Sequence, residues 1–232
     1  MISKGSNILV VAAHPDDDIL GCGGLMAKYS SDCTFKVLFL AEGVSARYSE
    51  DQIKSDECLN QIKSRELNCI DALKLLNIDD PIFINYPCGR LDTIPIIEIN
   101  KRIEENISFF NSDIILTHSP TDCNNDHKII FNSVMMATRP GGLQSVKSVA
   151  CFEINSSTEW NFIDEFCPNY FEEIDEKHLN LKINALEKYV DEIRTKPHPR
   201  SAEGVKTLAK YRGFKVGFNF AEAYRIIRTI NK

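Results

Sequence analysis

His14, Asp16, Asp17 and Asp18 stand together as His14-Pro15-Asp16-Asp17-Asp18, directly after the apolar run 8–13, Ile-Leu-Val-Val-Ala-Ala. Adjacent carboxylates repel one another, so a fold gathers them where a cation or a proton-transfer task uses the charge. The alternative is capping, since aspartates favour the free N–H groups of a helix N-terminus. A second polar segment, 117–127, holds His118, Asp122, Asp126 and His127. Histidine and aspartate are ligand types of a catalytic zinc site, which uses three protein ligands and keeps one position open. His14 and Asp17 are spaced for a shared ion at a loop-to-helix junction, and His127 is a candidate third ligand. Zinc is favoured by ligand type, although iron or nickel suit the same donors.

These residues need elements to place them. Apolar runs of strand length at 8–13, 35–41, 81–85, 113–117 and 146–153 alternate with helical periods at 20–30, 49–76, 96–110 and 126–137. The run 139–142, Arg-Pro-Gly-Gly, closes the last of these helices. Segments 177–194 and 202–211 read as helices, and 221–228 as strand or helix. Such alternation predicts an α/β fold, a Rossmann-like, mainly parallel sheet flanked by helices, in one domain over 1–232. Ligands of such sheets bind beyond the C-terminal strand ends. His14, Glu42, Tyr86 and His118 each follow a predicted strand, so all four point to one rim. The run Leu20-Gly21-Cys22-Gly23-Gly24 suits a tight turn into a helix and close approach of a ligand to backbone. Its spacing matches neither a dinucleotide fingerprint nor a P-loop.

Composition narrows the classes. With 27 basic against 33 acidic residues the net charge is −6, which argues against nucleic acid as the main partner. There is no apolar stretch long enough for a membrane span, and the N-terminus lacks the layout of a secretory signal, so the expected location is cytoplasmic. The eight cysteines include no C-x-x-C pair and read as free thiols, most of them small buried hydrophobes.

Ala13-His14-Pro15-Asp16-Asp17-Asp18, followed far downstream by Asp126-His127, resembles the paired motifs of the PIG-L/LmbE-like family of zinc-dependent N-deacetylases. Arg65-Glu66 resembles its central arginine segment. Pro197-His198-Pro199-Arg200-Ser201, Arg212-Gly213 and Ala221-Glu222-Ala223 resemble the tail of a bacterial branch. The resemblance implies the LmbE-like deacetylase fold, with His14, Asp17 and His127 as zinc ligands. It makes Asp16 the general base toward zinc-bound water, and Asp126 a carboxylate that orients a catalytic neighbour. The implied substrate is an N-acetylated amino sugar of the N-acetylglucosamine type or its conjugate, in glycan or natural-product biosynthesis. A second copy of the chain is a candidate partner.

Two positions depart from the family pattern. Asn124 stands where many relatives carry histidine; an amide can donate a hydrogen bond to an oxyanion but cannot act as a general acid. His118 or His198 is the alternative donor, His198 being in a Pro-flanked loop that is either a rigid turn or an arm to the rim. Cys88 stands where relatives tend to have an aspartate for sugar hydroxyls, and Arg90 or Asp92 compensates unless they form only a local surface pair. Arg65 binds a phosphate or sugar oxygen, or is one more charge on a long helix. Arg47 and Glu159-Trp160 lie on predicted rim loops, and Trp160 is a platform for a sugar ring or a core residue. The competing reading is a catalytically weakened sugar- or nucleotide-sugar-binding protein on the same fold.

Overall fold

The computed structural model describes residues 1–141 and 146–231. Gly142, the last residue of the helix-closing run, lies outside the described residues. In chain order the elements are β1 (Asn7–Ala12), α1 (Asp17–Tyr29), β2 (Thr34–Ala41), α2 (Asp56–Lys74), β3 (Ile82–Tyr86), α3 (Ile96–Phe110) and β4 (Ile114–His118). There follow α4 (Asn125–Ala137), β5 (Ser148–Phe152), β6 (Tyr170–Glu173), α5 (Glu176–Leu186), α6 (Ala202–Phe214) and β7 (Ala221–Thr229).

The strands form one seven-stranded sheet in the order β3-β2-β1-β4-β5-β7-β6. β1 to β5 are parallel, and β7 runs antiparallel to both β5 and β6. β1 lies between β2 and β4, which explains its unbroken apolar run: both faces are covered. Ile8, Val10 and Ala12 pack on one side with Leu25 and Met26 of α1, Leu73 of α2 and Leu186 of α5. Leu9, Val11 and Ala13 pack on the other with Ile99 and Ile103 of α3 and Ile130 and Val134 of α4. The chain winds outward from β1 to β3, then lays β4 on the opposite side of β1. The reversal opens a crevice at the C-terminal ends of β1 and β4, the topological switch point where open α/β sheets bind ligands. His14 leaves one strand there and His118 ends the other.

The glycine run lies inside α1 rather than in a turn before it. Cys22 breaks the helix at φ −145° and ψ 21°. In an unbroken helix the Gly24 N–H would bond Leu20 O and the Leu25 N–H would bond Gly21 O. Instead Gly24 N donates to Glu222 Oε1 at 2.8 Å and Leu25 N to Glu222 Oε2 at 2.7 Å, while Lys182 Nζ donates to the freed Leu20 O at 2.7 Å. Lys182 and Glu222 also pair at 2.6 Å, both nearly fully buried. A Cβ on Gly21 would sit 2.4 Å from the Phe152 ring, so glycine here serves packing between helix and sheet.

Segment 221–228, open between strand and helix, belongs to the antiparallel strand β7; β6, four residues without alternation, was not anticipated. The expected helix 177–194 stops at Leu186 and continues as turns. No helix among the described residues is long and apolar enough to cross a membrane.

Removing one partner of a buried ion pair leaves the other uncompensated. Glu222→Gln is therefore expected to lower unfolding free energy by about 3 kcal/mol. Urea denaturation checks this, and a loss well under about 1 kcal/mol would show that the patch is not what closes the break in α1.

Candidate functional site

His14 leaves β1, Asp17 opens α1, and His127 sits in the first turn of α4. The fold brings their ligand atoms within 4.8 Å of one another. Asp17 Oδ2 lies 3.2 Å from His14 Nδ1 and 3.2 Å from His127 Nε2. All three side chains are buried. Asp17 Oδ1 has no hydrogen-bond partner, and neither His127 nitrogen makes an aligned hydrogen bond despite carboxylates at 3.1 and 3.2 Å. Buried polar atoms are rarely left so. Two imidazoles and a carboxylate converging on one point, with buried lone pairs unspent, fit a divalent ion.

Each imidazole is backed by its own carboxylate. His14 Nε2 lies 3.0 Å from Asp126 Oδ2, and His127 Nδ1 lies 3.1 Å from Asp122 Oδ2. A carboxylate only accepts, so the hydrogen bond from His14 to Asp126 fixes a proton on Nε2, the nitrogen facing away from Asp17, and sets that ring's orientation, while Asp122 faces His127 as an ion-pair partner. Asp126 is held by Gly89 N at 2.6 Å and Leu91 N at 3.2 Å. Asp122 is held by the Ser157 hydroxyl, by Thr158 Oγ1 at 2.8 Å and by Asn124 N at 2.8 Å. Burial would raise the Asp122 carboxyl, but His127 and Ser157 outweigh it and hold it down at about 2. Burial likewise opposes a charged His127, yet Asp17 and Asp122 raise it to about 9. Burial also opposes ionised Asp17, and the imidazoles of His127 and His14 override it, holding this carboxyl well below its usual range. Asp122 belongs to the polar segment 117–127 marked in the sequence, but its role behind His127 is visible only in the structure.

His118 has a different position. It is fully buried, stacks 3.9 Å from the His127 ring, and its Nε2 accepts from Ala13 N at 2.8 Å. Burial and then the neighbouring His127 lower it to about 3, so it is neutral.

Asp16 stands beside this centre in a strained backbone, φ 122°, a conformation that costs a non-glycine residue about 1–3 kcal/mol. Arg65 Nη2 at 3.2 Å and Arg200 Nη1 at 3.0 Å both reach its Oδ2. Arg65 Nε also donates to Pro15 O at 3.0 Å. Buried Glu192 ties the cations together: it pairs with Arg65 and Arg47, and lies 3.7 Å from Arg200. Burial outweighs the arginines and leaves the Asp16 carboxyl raised. Arg200 lies inside the Pro-flanked motif that drew attention to His198, whereas nothing in the sequence singled out Glu192.

The remaining candidates fall around this core. Asn124 caps α4, its Oδ1 accepting from Asp126 N at 2.9 Å. His198 accepts from Arg200 N at 3.1 Å and packs edge-on against Trp160 at 5.8 Å; no contact with the histidine cluster is found among the described residues. Trp160 is 46% exposed, on a surface turn rather than in the core. Arg90 folds back on the carbonyls of Ser45, Cys88 and Tyr48, and Asp92 is exposed on a short turn, so the two do not pair. Glu42 accepts from Val44, Ser45 and Cys88 N–H groups, fixing the rim loops.

The chain is similar to known proteins in sequence and in fold. The chain is 25% identical over 194 residues to an uncharacterised deacetylase of Escherichia coli K12, YaiS, covering 81% of this chain and 92% of that one. N,N'-diacetylchitobiose deacetylase from Pyrococcus horikoshii shares the fold with a TM-score of 0.73 at 20% identity, over 96% of this chain and 84% of that one. So does GalB, the 4-carboxy-2-hydroxymuconate hydratase of Pseudomonas putida KT2440, with a TM-score of 0.73 at 18% identity over 98% of each. The profile of PIG-L, GlcNAc-PI de-N-acetylase, matches residues 9–138, which span β1 through α4 and with them both histidine motifs. The chain is a member of the PIG-L family of de-N-acetylases.

Proposed function

We propose that this protein is a metal-dependent hydrolase, with zinc the favoured ion, that removes the acetyl group from an N-acetylated amino sugar or its conjugate. The observation that carries this reading is the pair of carboxylate-backed imidazoles sharing Asp17, with the buried carboxylate of Asp16 beside them. His14, Asp17 and His127 would hold the ion. When bound, such an ion supplies Lewis acidity, lowering the pKa of water toward ~7 and polarising the acetyl carbonyl.

The chain's own residues supply the proton chemistry. Asp16 takes the proton of the attacking water on its carboxylate and passes it to the departing amine. Its raised carboxyl suits both directions of transfer better than an ordinary surface aspartate would. Arg65 and Arg200 both hold Oδ2 of Asp16, which fixes the carboxylate in place. Glu192 anchors those arginines. Asn124 spends Oδ1 on the helix cap, which leaves its Nδ2 as the donor toward a developing oxyanion. The exposed Trp160 and neighbouring His198 offer an apolar edge for a sugar ring.

The competing reading, a sugar-binding protein that has lost turnover, draws on the same Asn124 and Cys88. The chitobiose deacetylase among its structural neighbours favours amide hydrolysis, whereas the hydratase shows that the fold also serves other reactions. Acetate release from N-acetylglucosamine and N,N'-diacetylchitobiose, measured with metal content, separates the two. No release from metal-loaded protein across a panel of N-acetyl sugars rejects hydrolysis.

Asp16→Asn is expected to keep the metal and lose about 10²-fold or more in kcat. Unchanged turnover removes Asp16 from proton transfer. Asp122→Asn is expected to weaken metal binding about 10–100-fold, measured by competition with a chelator. The same assay has a defined pH dependence. Below about 9 the metal-free protein carries a proton on His127 that the ion must displace, and His14 is raised in the same direction, so affinity rises with pH from neutrality. Pairing calorimetry in buffers of different ionisation enthalpy with chelator competition checks the sign: proton uptake, or affinity falling over this range, contradicts it.

A further inference from the structure

Cys88 has no part in the hydrolytic arrangement, yet its thiol lies against the outer side of the metal centre. Cys88 Sγ, a ring nitrogen of His14 and a carboxylate oxygen of Asp126 lie within 4.8 Å of one another, and all three residues are buried. His14 presents its two nitrogens to two different donor sets: Nδ1 lies 3.2 Å from Asp17 Oδ2, and Nε2 lies 3.0 Å from Asp126 Oδ2. The outer set is held by backbone. Cys88 N donates to Glu42 Oε1 at 2.9 Å and to Ser45 Oγ at 3.0 Å, and Asp126 receives the Gly89 and Leu91 N–H groups. Thiolate, imidazole and carboxylate are all zinc donors, and sulfur makes this set softer than the His14–Asp17–His127 set.

We propose that Cys88, His14 Nε2 and Asp126 form a second cation site, which takes a thiophilic divalent ion such as zinc once the first site is filled. The proposal rests on reading His14, Asp17 and His127 as the primary centre. On binding, the Cys88 S–H and His14 Nε2–H protons pass to solvent. Sulfur, Nε2 and a carboxylate oxygen each donate a lone pair, and nothing is oxidised or reduced. His14 then bridges two ions through its two nitrogens, and its hydrogen bond to Asp126 is lost. Filling the outer site thereby removes the carboxylate that orients a primary ligand, so excess zinc inhibits.

The test titrates the metal-free chain with cobalt(II) and, separately, with zinc followed by dialysis and elemental analysis. Wild type is expected to bind two equivalents. The first brings only ligand-field bands, and the second brings the near-ultraviolet sulfur-to-cobalt charge-transfer absorption. Cys88→Ser is expected to bind one equivalent without that absorption, its retained first equivalent showing that the fold is intact. Asp17→Asn, which weakens the inner site alone, is expected to show charge transfer from the first equivalent. Charge transfer with the first equivalent in wild type overturns the proposal, because Cys88 would then belong to the primary centre. A second equivalent that survives Cys88→Ser also overturns it, since exposed Cys123 and Cys167 remain in that variant, as does a wild type that stops at one. Failure of the deacetylase reading shows up separately, as absence of acetate release at one equivalent.

Discussion

Asp17 Oδ2 lies 3.2 Å from a ring nitrogen on each side, one belonging to the loop after β1 and the other to α4. These two segments are more than a hundred residues apart in sequence, and the parallel pairing of β1 with β4 is what makes them neighbours. The remainder of the site keeps that oxygen in place. Asp126 holds the His14 ring by a hydrogen bond, Asp122 pairs with His127, Ser157 and Thr158 hold Asp122, and the turn after β3 supplies two N–H groups to Asp126. The result is a buried cluster dense in negative charge. It is tenable because each carboxylate has its own cation, N–H group or imidazole.

The break in α1 belongs to the same problem. The break at Cys22 separates the first part of α1, which carries Asp17 and Asp18, from the rest of the helix. A broken helix in the core exposes backbone groups that water cannot reach. Lys182 and Glu222 meet that need from α5 and β7, elements at the far end of the chain. The antiparallel strand added beyond the parallel sheet thus supports the site even though it contributes no residue to it.

Local signals were legible and convergent ones were not. His14, Asp16 and Asp17 lie in one short segment and His127 in another, each directly after a strongly apolar strand, so type and position together marked them. The sheet followed from the same apolar runs. Glu192 and Arg200 gain their meaning only when turns after α5 meet the loop after β1, a contact without periodicity or spacing. The glycines of α1 looked like turn residues because the sequence does not show which side chain will press on them; Phe152 does, from β5. By residue type Arg90 or Asp92 compensates for Cys88 unless the two form a local surface pair, and the sequence does not show that the carbonyls of the rim loops take the guanidinium.

The three consecutive aspartates show how far environment outweighs sequence neighbourhood. Burial drives all three toward the neutral acid, and what opposes burial differs at each position. Asp17 faces imidazoles on several sides and is held well below the usual range, as a metal ligand requires. Asp16 faces Arg65 and Arg200, which reduce but do not cancel the rise, leaving a carboxylate that can take and return a proton. Asp18 has only backbone N–H groups to oppose burial and is pushed up to about 8, so it is neutral at pH 7 and adds no third charge to the pair. Three identical side chains in succession would repel if all were ionised. Here the third protonates while the first two are neutralised by different partners, and the segment divides into a ligand, a base and an uncharged helix residue.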